Sequence, residues 1–503
     1  MMEDYKEFTS DEVFSLLKSK KSRDWIDEGH QRSLKLFHAA AKRVPAYGDF
    51  LRKNGIAASK VKTWADFEQL PSVDKKNYLR EYSLEDLCWD GTLEKAMIIT
   101  STSGSTGKPF YFPREPQLDW QLSIIIKSFL ESSSYKRKGP VLVINGFSMG
   151  VWIGGLITYN AFEIAAVEGE YPVSIITPGI NKEQIIAALK DLSPSYSQTV
   201  LIGYPPFIKD IIDVAGEEGV DLKALNLRIL FAAEAFGETF RDYLVEKCGI
   251  QNPYQDTMNI YGSADIGAMA SETPLSILAR REALSDDDLF ADFFSGIKKV
   301  PTFAQFNPLF IFFEAVEGNL LLTGDNAIPL IRYSIGDQGG VMDYDGMVSL
   351  FKTHGIEMVN KITEAGISDV VSEMPFVYLY ERSDLVCTLF GLQIYPEHIR
   401  EALLEPAFQK KITGKFTMET KFDEAHNQYL EINIELKPGQ MDNNELNGKI
   451  LKKVIATFIE MNSEFKELYS YLKERAEPKL VYWPHGHPKY FKSGVKQKWV
   501  IKE

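Results

Sequence analysis

The 503-residue sequence holds only three cysteines, no long apolar run and no excess of basic residues, and each shortage removes a class of function. Cys88, Cys248 and Cys387 are odd in number and far apart, so they form neither a disulfide framework nor a paired-cysteine zinc site. A reducing cytoplasm is the expected setting. The most apolar stretches, 120–130 and 141–166, are broken by Lys127 and by Asn145, Asn160 and Glu163, so no membrane span is expected. The polar opening MMEDYKEFTSDEV lacks the apolar segment of a signal peptide. Lys and Arg number 56 against 70 Asp and Glu, a net charge of -14, so no nucleic-acid or anionic-membrane partner is expected. A small anionic ligand stays compatible, because it needs only local N–H groups and one or two cations. Repeats and low-complexity tracts are also missing.

What is present points to two domains, since one core rarely serves a chain this long. Residues 32–43 (RSLKLFHAAAKR) put Leu34, Phe37, Ala40 and Ala41 on one helical face and stop before Pro45. From residue 96 the texture changes to short β-rich runs, AMIIT, VLVIN, SIIT, TVLIG and RILFA, with helical segments such as 182–192 between them. That alternation predicts an α/β fold: a large N-terminal domain, 1–380, with mixed or parallel sheets covered by helices. Beyond it, a helix at 396–404, an alternating strand at 430–436 and a long helix at 443–458 predict a small α+β domain, 381–503. Its size, roughly 120 residues, is ordinary for a domain. The stretch 273–307 reads as irregular, an insertion or a lid.

Three segments carry chemistry. Thr100-Ser-Thr-Ser-Gly-Ser-Thr-Gly-Lys-Pro109 is a loop whose N–H and O–H donors suit phosphate oxygens, with Lys108 adding a mobile positive charge. It is not the common P-loop, because only Ser105 and Thr106 separate Gly104 from Gly107 and Pro109 follows the lysine. FYFPR then continues as a strand; a polar hairpin turn is the plain alternative. In Asn259-Ile-Tyr-Gly-Ser-Ala-Asp-Ile-Gly267, Tyr261 suits stacking on a base and Asp265 supplies a hard oxygen of the kind Mg²⁺ takes beside phosphates, although a strand-ending turn explains the residues equally. In Pro329-Leu-Ile-Arg-Tyr-Ser-Ile-Gly-Asp337, a carboxylate after a glycine turn can accept both hydroxyls of a ribose, or sit in a surface turn.

In this order and spacing the three segments resemble the adenylate-forming superfamily, and within it the phenylacetate–CoA ligase family, from about residue 30 to the C-terminus. Val44-Pro-Ala-Tyr47, Leu70-Pro-Ser-Val-Asp-Lys75 and Pro329-Leu-Ile-Arg-Tyr333 are further markers. Asn145-Gly-Phe-Ser-Met-Gly-Val-Trp-Ile-Gly-Gly-Leu156 is similar to the family's acyl-pocket segment, and Leu227-Arg-Ile-Leu-Phe-Ala-Ala-Glu234 to its adenine-flanking strand. The resemblance implies an AMP-forming acid–thiol ligase that uses ATP, Mg²⁺ and coenzyme A. It implies that Ser103, Gly104, Ser105, Thr106, Gly107 and Lys108 hold phosphates. Ala233, Glu234 and Tyr261 would line the adenine, and Gly262 and Ser263 would belong to the ATP site. Asp337 and Arg382 would face the ribose, and Asp265 the Mg²⁺. It further implies a hinge at Asp384, a second-step loop at Gly391 and an adenylation lysine at Lys496. Phe147, Met149, Gly154, Tyr204 and Phe236 fall in acyl-pocket segments, and with Trp152 their bulk suits a small-molecule carboxylic acid that is aromatic or flat.

Three positions depart from the family pattern. Its metal ligand is usually Glu, and Asp265 is one methylene shorter. Glu381 stands where the hinge motif begins with Gly. Val495 separates Lys496 from Gly494, which leaves Lys498 and Lys492 open as the working lysine. The acceptor is CoA, a carrier-protein thiol or an amine; all follow the same first step. A dimer is neither required nor excluded.

Two rivals compete with this reading. Gly146-Phe-Ser-Met-Gly150 is formally a G-x-S-x-G elbow, which would make Ser148 an esterase nucleophile drawing on His354, His398, His426, His485 or His487. An inactive nucleotide-binding homologue is the other. His485-Gly-His487 is a metal candidate or a plain turn.

Overall fold

The computed structural model describes residues 8–95, 97–101, 110–135, 139–169, 171–295, 300–382, 386–408, 410–442, 444–491 and 499–501. The chain opens with helices, including Ser22–Arg43, which contains the expected 32–43 segment as its second half. A hairpin of β1 (Ile98–Ser101) and β2 (Tyr111–Arg114) follows.

Next come β3 (Val141–Asn145), β4 (Val173–Ile176), β5 (Gln198–Gly203), β6 (Leu227–Ala232) and β7 (Thr257–Ser263), paired parallel in the order β4-β3-β5-β6-β7. The helices Ile153–Glu168, Lys182–Asp191, Pro205–Glu217 and Glu238–Cys248 make the crossovers that parallel pairing demands. Every residue of β3 and β5 is buried, as expected for strands covered on both faces. The sheet continues antiparallel through β8 (Gly267–Ser271), β9 (Thr302–Gln305), β10 (Ile311–Val316), β11 (Asn319–Gly324), β12 (Leu330–Met342) and β13 (Phe376–Arg382).

A second group of strands begins at β14 (Cys387–Leu389) and β15 (Leu392–Ile394), a hairpin, followed by β16 (Ile412–Phe422), β17 (Gln428–Leu436) and β18 (Lys479–Trp483) in a separate sheet. The helices Pro396–Leu403, Asn444–Met461 and Ser463–Leu472 belong to this part. The protein is thus a large α/β unit with a smaller α+β region. One cluster of buried apolar residues runs from Leu142, Leu201 and Phe231 to Leu389, Phe390 and Ile432, so the two parts are packed together.

The stretch 273–307 departs from expectation: it is not a lid. It contains the helices Pro274–Ala283 and Asp287–Phe293 and the strand β9, with Leu275, Leu278, Leu289 and Phe303 in a buried cluster. Thr273 caps the first helix reciprocally with Ser276, Pro274 takes its first turn and Asp286 caps the second. Among the described residues no helix is long and apolar enough to cross a membrane, and all three cysteines are free and buried.

Candidate active site

β3 and β5 are adjacent, yet the chain leaves β3 for β4 on one side and later continues from β5 to β6 on the other. Such a reversal opens a crevice beyond the carboxyl ends of the strands, where open α/β sheets bind ligands. Asn145 ends β3 and Gly203 ends β5. Just past them, the rings of Phe147 and Tyr204 meet edge to face at 5.0 Å.

The buried Asn145 sets the loop after β3: its amide donates to the Gly155 carbonyl at 3.0 Å and its carbonyl accepts from the Phe147 N–H at 3.2 Å. The loop folds back so tightly that a Cβ on Gly155 would overlap the Ser148 carbonyl and, at 2.7 Å, the Met149 sulfur; one on Gly154 would rest on Phe147 at 3.7 Å. Phe147, Met149, Gly154 and Tyr204 therefore come together. Phe236 packs instead on Phe231 and Phe240, with the Arg241 guanidinium 4.9 Å from its ring centre.

Beyond β6, Ala233 holds a left-handed backbone (φ 73°) and is exposed. A non-glycine residue in that region costs roughly 1 kcal/mol or more, and such positions concentrate at functional sites. The adjacent Glu234 is buried, and burial pushes its carboxyl up to about 7. Its carbonyl accepts from the Asn259 amide at 3.0 Å. Its carboxylate accepts from the Gly391 N–H and, at 2.6 Å, from the Gln428 side chain, both in the smaller region.

At the end of β7, the Tyr261 hydroxyl donates to Asp337 at 2.5 Å, joining the expected base-facing and ribose-facing groups. Asp337 is also the register partner of Arg382 across β12 and β13. A Cβ on Gly262 would lie 2.8 Å from the Gly267 carbonyl, and Ser263 accepts from the Asp265 N–H. Asp265, 2% exposed, accepts from the Tyr333 hydroxyl at 2.5 Å and pairs with Lys75 at 3.0 Å. Arg332 builds that pairing: it is buried, bonds Glu314 at 3.1 Å and the Leu70 carbonyl, and thereby draws the 70–75 segment onto β12. Sequence reasoning singled out Leu70-Pro-Ser-Val-Asp-Lys75 and Pro329-Leu-Ile-Arg-Tyr333 separately, and nothing in either announces that they pair.

One carboxylate, with lone pairs left beside its two partners, fits a single Mg²⁺ ligand whose remaining donors are phosphate oxygens. Residues 103–108, Asp384, Lys492, Lys496 and Lys498 lie outside the described residues, as does the side chain of Arg382.

The histidines of the rival reading are engaged elsewhere. His354 pairs with Asp292 and His485 with Glu435; His398 packs by Phe458, His426 by Tyr243 and His487 between Trp483 and Tyr490. Among the described residues no group of three His, Cys, Asp or Glu could hold a metal ion.

No family model matches the sequence, and no curated protein matches it. Solved structures do. A 2-hydroxyisobutyryl-CoA ligase in complex with 2-HIB-AMP and CoA, in the thioesterification state, superposes with TM-score 0.61 at 16% identity over 97% of this chain and 91% of that one. The open conformation of the same ligase gives 0.52 at 14% identity over 97% and 93%. Its postadenylation state with 2-HIB-AMP gives 0.53 at 14% over 97% and 92%. The chain has the fold of this CoA ligase.

Proposed function

We propose that the protein activates a carboxylic acid with ATP, forming an acyl-adenylate with release of pyrophosphate, and passes the acyl group to the thiol of coenzyme A. The observation that carries this is the convergence of Phe147, Tyr204, Glu234, Tyr261 and Asp265 at the carboxyl ends of β3, β5, β6 and β7, joined by Asp337 from within β12 through its bond to Tyr261, in a fold shared with a CoA ligase.

A carboxylate approaching the α-phosphate is an anion meeting an anion, a repulsion of about 1 kcal/mol at about 4 Å in water and about 4 kcal/mol near a protein surface. In this reading Lys496 lies between the two and reverses the sign, while Ser103 to Lys108 cradle the leaving phosphates. Asp265 supplies a ligand to Mg²⁺, which when bound would draw charge from the phosphates. Asp337, oriented by Tyr261, faces the ribose with Arg382, and Ala233 and Glu234 border the adenine. Lys496 must then leave so that a thiol can approach. A division of the chain at 380/381 with a hinge at Asp384 would provide that movement, bringing Gly391 toward the acyl group. Phe147, Met149, Gly154 and Tyr204 favour an aryl or arylacetic acid, as in a phenylacetate–CoA ligase-like enzyme of the cytoplasm.

The test is acid-dependent ATP–pyrophosphate exchange with Mg²⁺ across benzoic, phenylacetic, short hydroxy and fatty acids, for the wild type and Lys496→Ala. Exchange with one acid class, lost in the variant, is expected, with thioester formed on adding CoA. Exchange without CoA consumption would move the acceptor to a carrier protein or an amine. No exchange with any acid, together with ester hydrolysis lost in Ser148→Ala, would overturn the reading.

A further inference from the structure

The hairpin of β14 and β15 turns through only two residues, Phe390 and Gly391, between the paired Leu389 and Leu392. Both have left-handed backbones, φ 49° and 81°. Turns of this kind favour Asn-Gly or Gly-Gly, because a bulky residue at positive φ is strained. Phe390 holds that strain while fully buried, with the Arg475 guanidinium 4.9 Å from its ring centre. The turn is pressed into the crevice of the large unit, where a Cβ on Gly391 would overlap the Tyr204 ring.

Its two consecutive N–H groups are each met by a side chain. Phe390 N–H donates to the Gln428 carbonyl oxygen at 2.7 Å, and Gly391 N–H donates to Glu234. The Gln428 amide nitrogen then donates to the second oxygen of Glu234 at 2.6 Å, closing the circuit. That pattern fixes the amide orientation, because the Phe390 N–H needs an acceptor and the carboxylate needs a donor. Gln428 is 1% exposed, and Arg475 holds its backbone carbonyl at 2.6 Å while pairing with Asp210 of the large unit at 2.9 Å.

We propose that Glu234 and Gln428 are a positioning pair that clamps the Phe390–Gly391 turn against Tyr204 and so selects the thioester-forming arrangement of the two units. The proposal rests on the adenylation-and-transfer reading above and assigns Glu234 a task beyond bordering a base. Two observations agree with it. The superposition score is higher for the thioesterification state of the ligase than for its open and postadenylation states, 0.61 against 0.52 and 0.53. The clamp also sits at the switch-point crevice, where a thiol must approach an acyl group bounded by Phe147 and Tyr204.

The donor pattern makes the pair testable by exchange of its members. Well above pH 7, where Glu234 is ionised, Gln428→Glu sets two carboxylates against each other while keeping an acceptor for Phe390. Adding Glu234→Gln restores all three hydrogen bonds with the direction of the middle one reversed. The first readout is hydrogen exchange of the Phe390 and Gly391 amides in the intact protein, resolved amide by amide and free of any assumption about substrate. In Gln428→Glu, protection of Gly391 is expected to fall at least 10-fold, and the double variant should return it to within about threefold of wild type. Gln428→Met, which adds no charge and removes both groups, should expose both amides.

The second readout separates the half-reactions with the acid found by pyrophosphate exchange. Gln428→Glu should keep exchange within about threefold of wild type while thioester formation from supplied acyl-adenylate and CoA drops at least 10-fold. A double variant exchanging as fast as Gln428→Glu, or equal loss in both half-reactions, would overturn the clamp. Absence of exchange in the wild type would sink the enzyme reading and leave the amide-protection result to decide the clamp by itself.

Discussion

Replacing Gly391 by alanine tests whether the hairpin must reach Tyr204. Two costs follow from the geometry. The left-handed backbone at φ 81° is cheap for glycine and costs alanine about 1–2 kcal/mol. The new Cβ would also fall on the Tyr204 ring, and overpacking of that kind costs about 1–3 kcal/mol where neighbours cannot yield. The first cost stays with the hairpin whether or not it is docked, so only the second, about 1–3 kcal/mol, acts against the docked arrangement, a loss of roughly 5-fold to somewhat over 100-fold at about 1.4 kcal/mol per decade. The smaller region can avoid the second cost only by withdrawing from the crevice. Thioester formation should therefore collapse, while pyrophosphate exchange, which uses another arrangement in this reading, stays near wild type. Single-turnover formation of acyl-CoA from supplied acyl-adenylate, run beside exchange, reads both. Unchanged thioester formation would refute the reasoning, and so would parallel loss in the two assays.

Other expectations concern stability and pH. Arg332→Leu leaves Glu314 buried without its partner and frees the Leu70 carbonyl, so chemical denaturation should show a loss of about 3–5 kcal/mol, and Arg332→Lys should not restore it, because an ammonium cannot reproduce the guanidinium fork. The Glu234 carboxyl, raised to about 7 by burial and faced by Gly391 and Gln428, binds its proton more tightly docked than exposed. Glu464 is also raised to about 7, by desolvation and then by Glu467. For both groups the raised value means a contribution fully present below the ordinary carboxyl pKa and lost as pH climbs through 7. Amide protection factors at Phe390 and Gly391 should accordingly fall between pH 5 and pH 8, and a flat or rising profile would contradict the assignment.

The parallel half of the sheet was legible because its strands are continuous apolar runs bounded by turns, and the order of the motifs carried most of the candidate site. The helix Pro274–Ala283 was not. Eight of its ten residues are buried, among them Arg280, which bonds Glu238 and Glu272, so it shows no apolar stripe against a polar face. Its start was nevertheless written in Thr273-Pro-Leu-Ser276, a cap followed by proline at the first position. The Lys75–Asp265 pair and the Gln428–Glu234 pair were invisible for another reason. Each joins residues about 190 positions apart, and neither partner has a local sequence context that names the other. Gly391 was singled out as a glycine of the second step, yet the features that make it necessary, the ring of Tyr204 and the phenylalanine before it, belong to tertiary structure.

The proposed two-step reaction needs an interface that forms and dissolves, and the polar contacts of this one suit that demand. Several contacts between the units are hydrogen bonds or ion pairs with small polar partners: Gln428 on Glu234, Arg475 on Asp210, Lys209 on Asn427 at 2.7 Å and the Trp152 indole on Glu467 at 2.6 Å. Water can replace each of them when the units part, so the net gain per polar contact is of order 1 kcal/mol, beside the apolar cluster that the two parts share. Against these contacts stands the burial of Glu234, which opposes docking in its ionised form. Directional bonds of this kind fix which arrangement the shared apolar surface adopts. In the proposed reading, a single amide such as Gln428 biases which half-reaction the site performs.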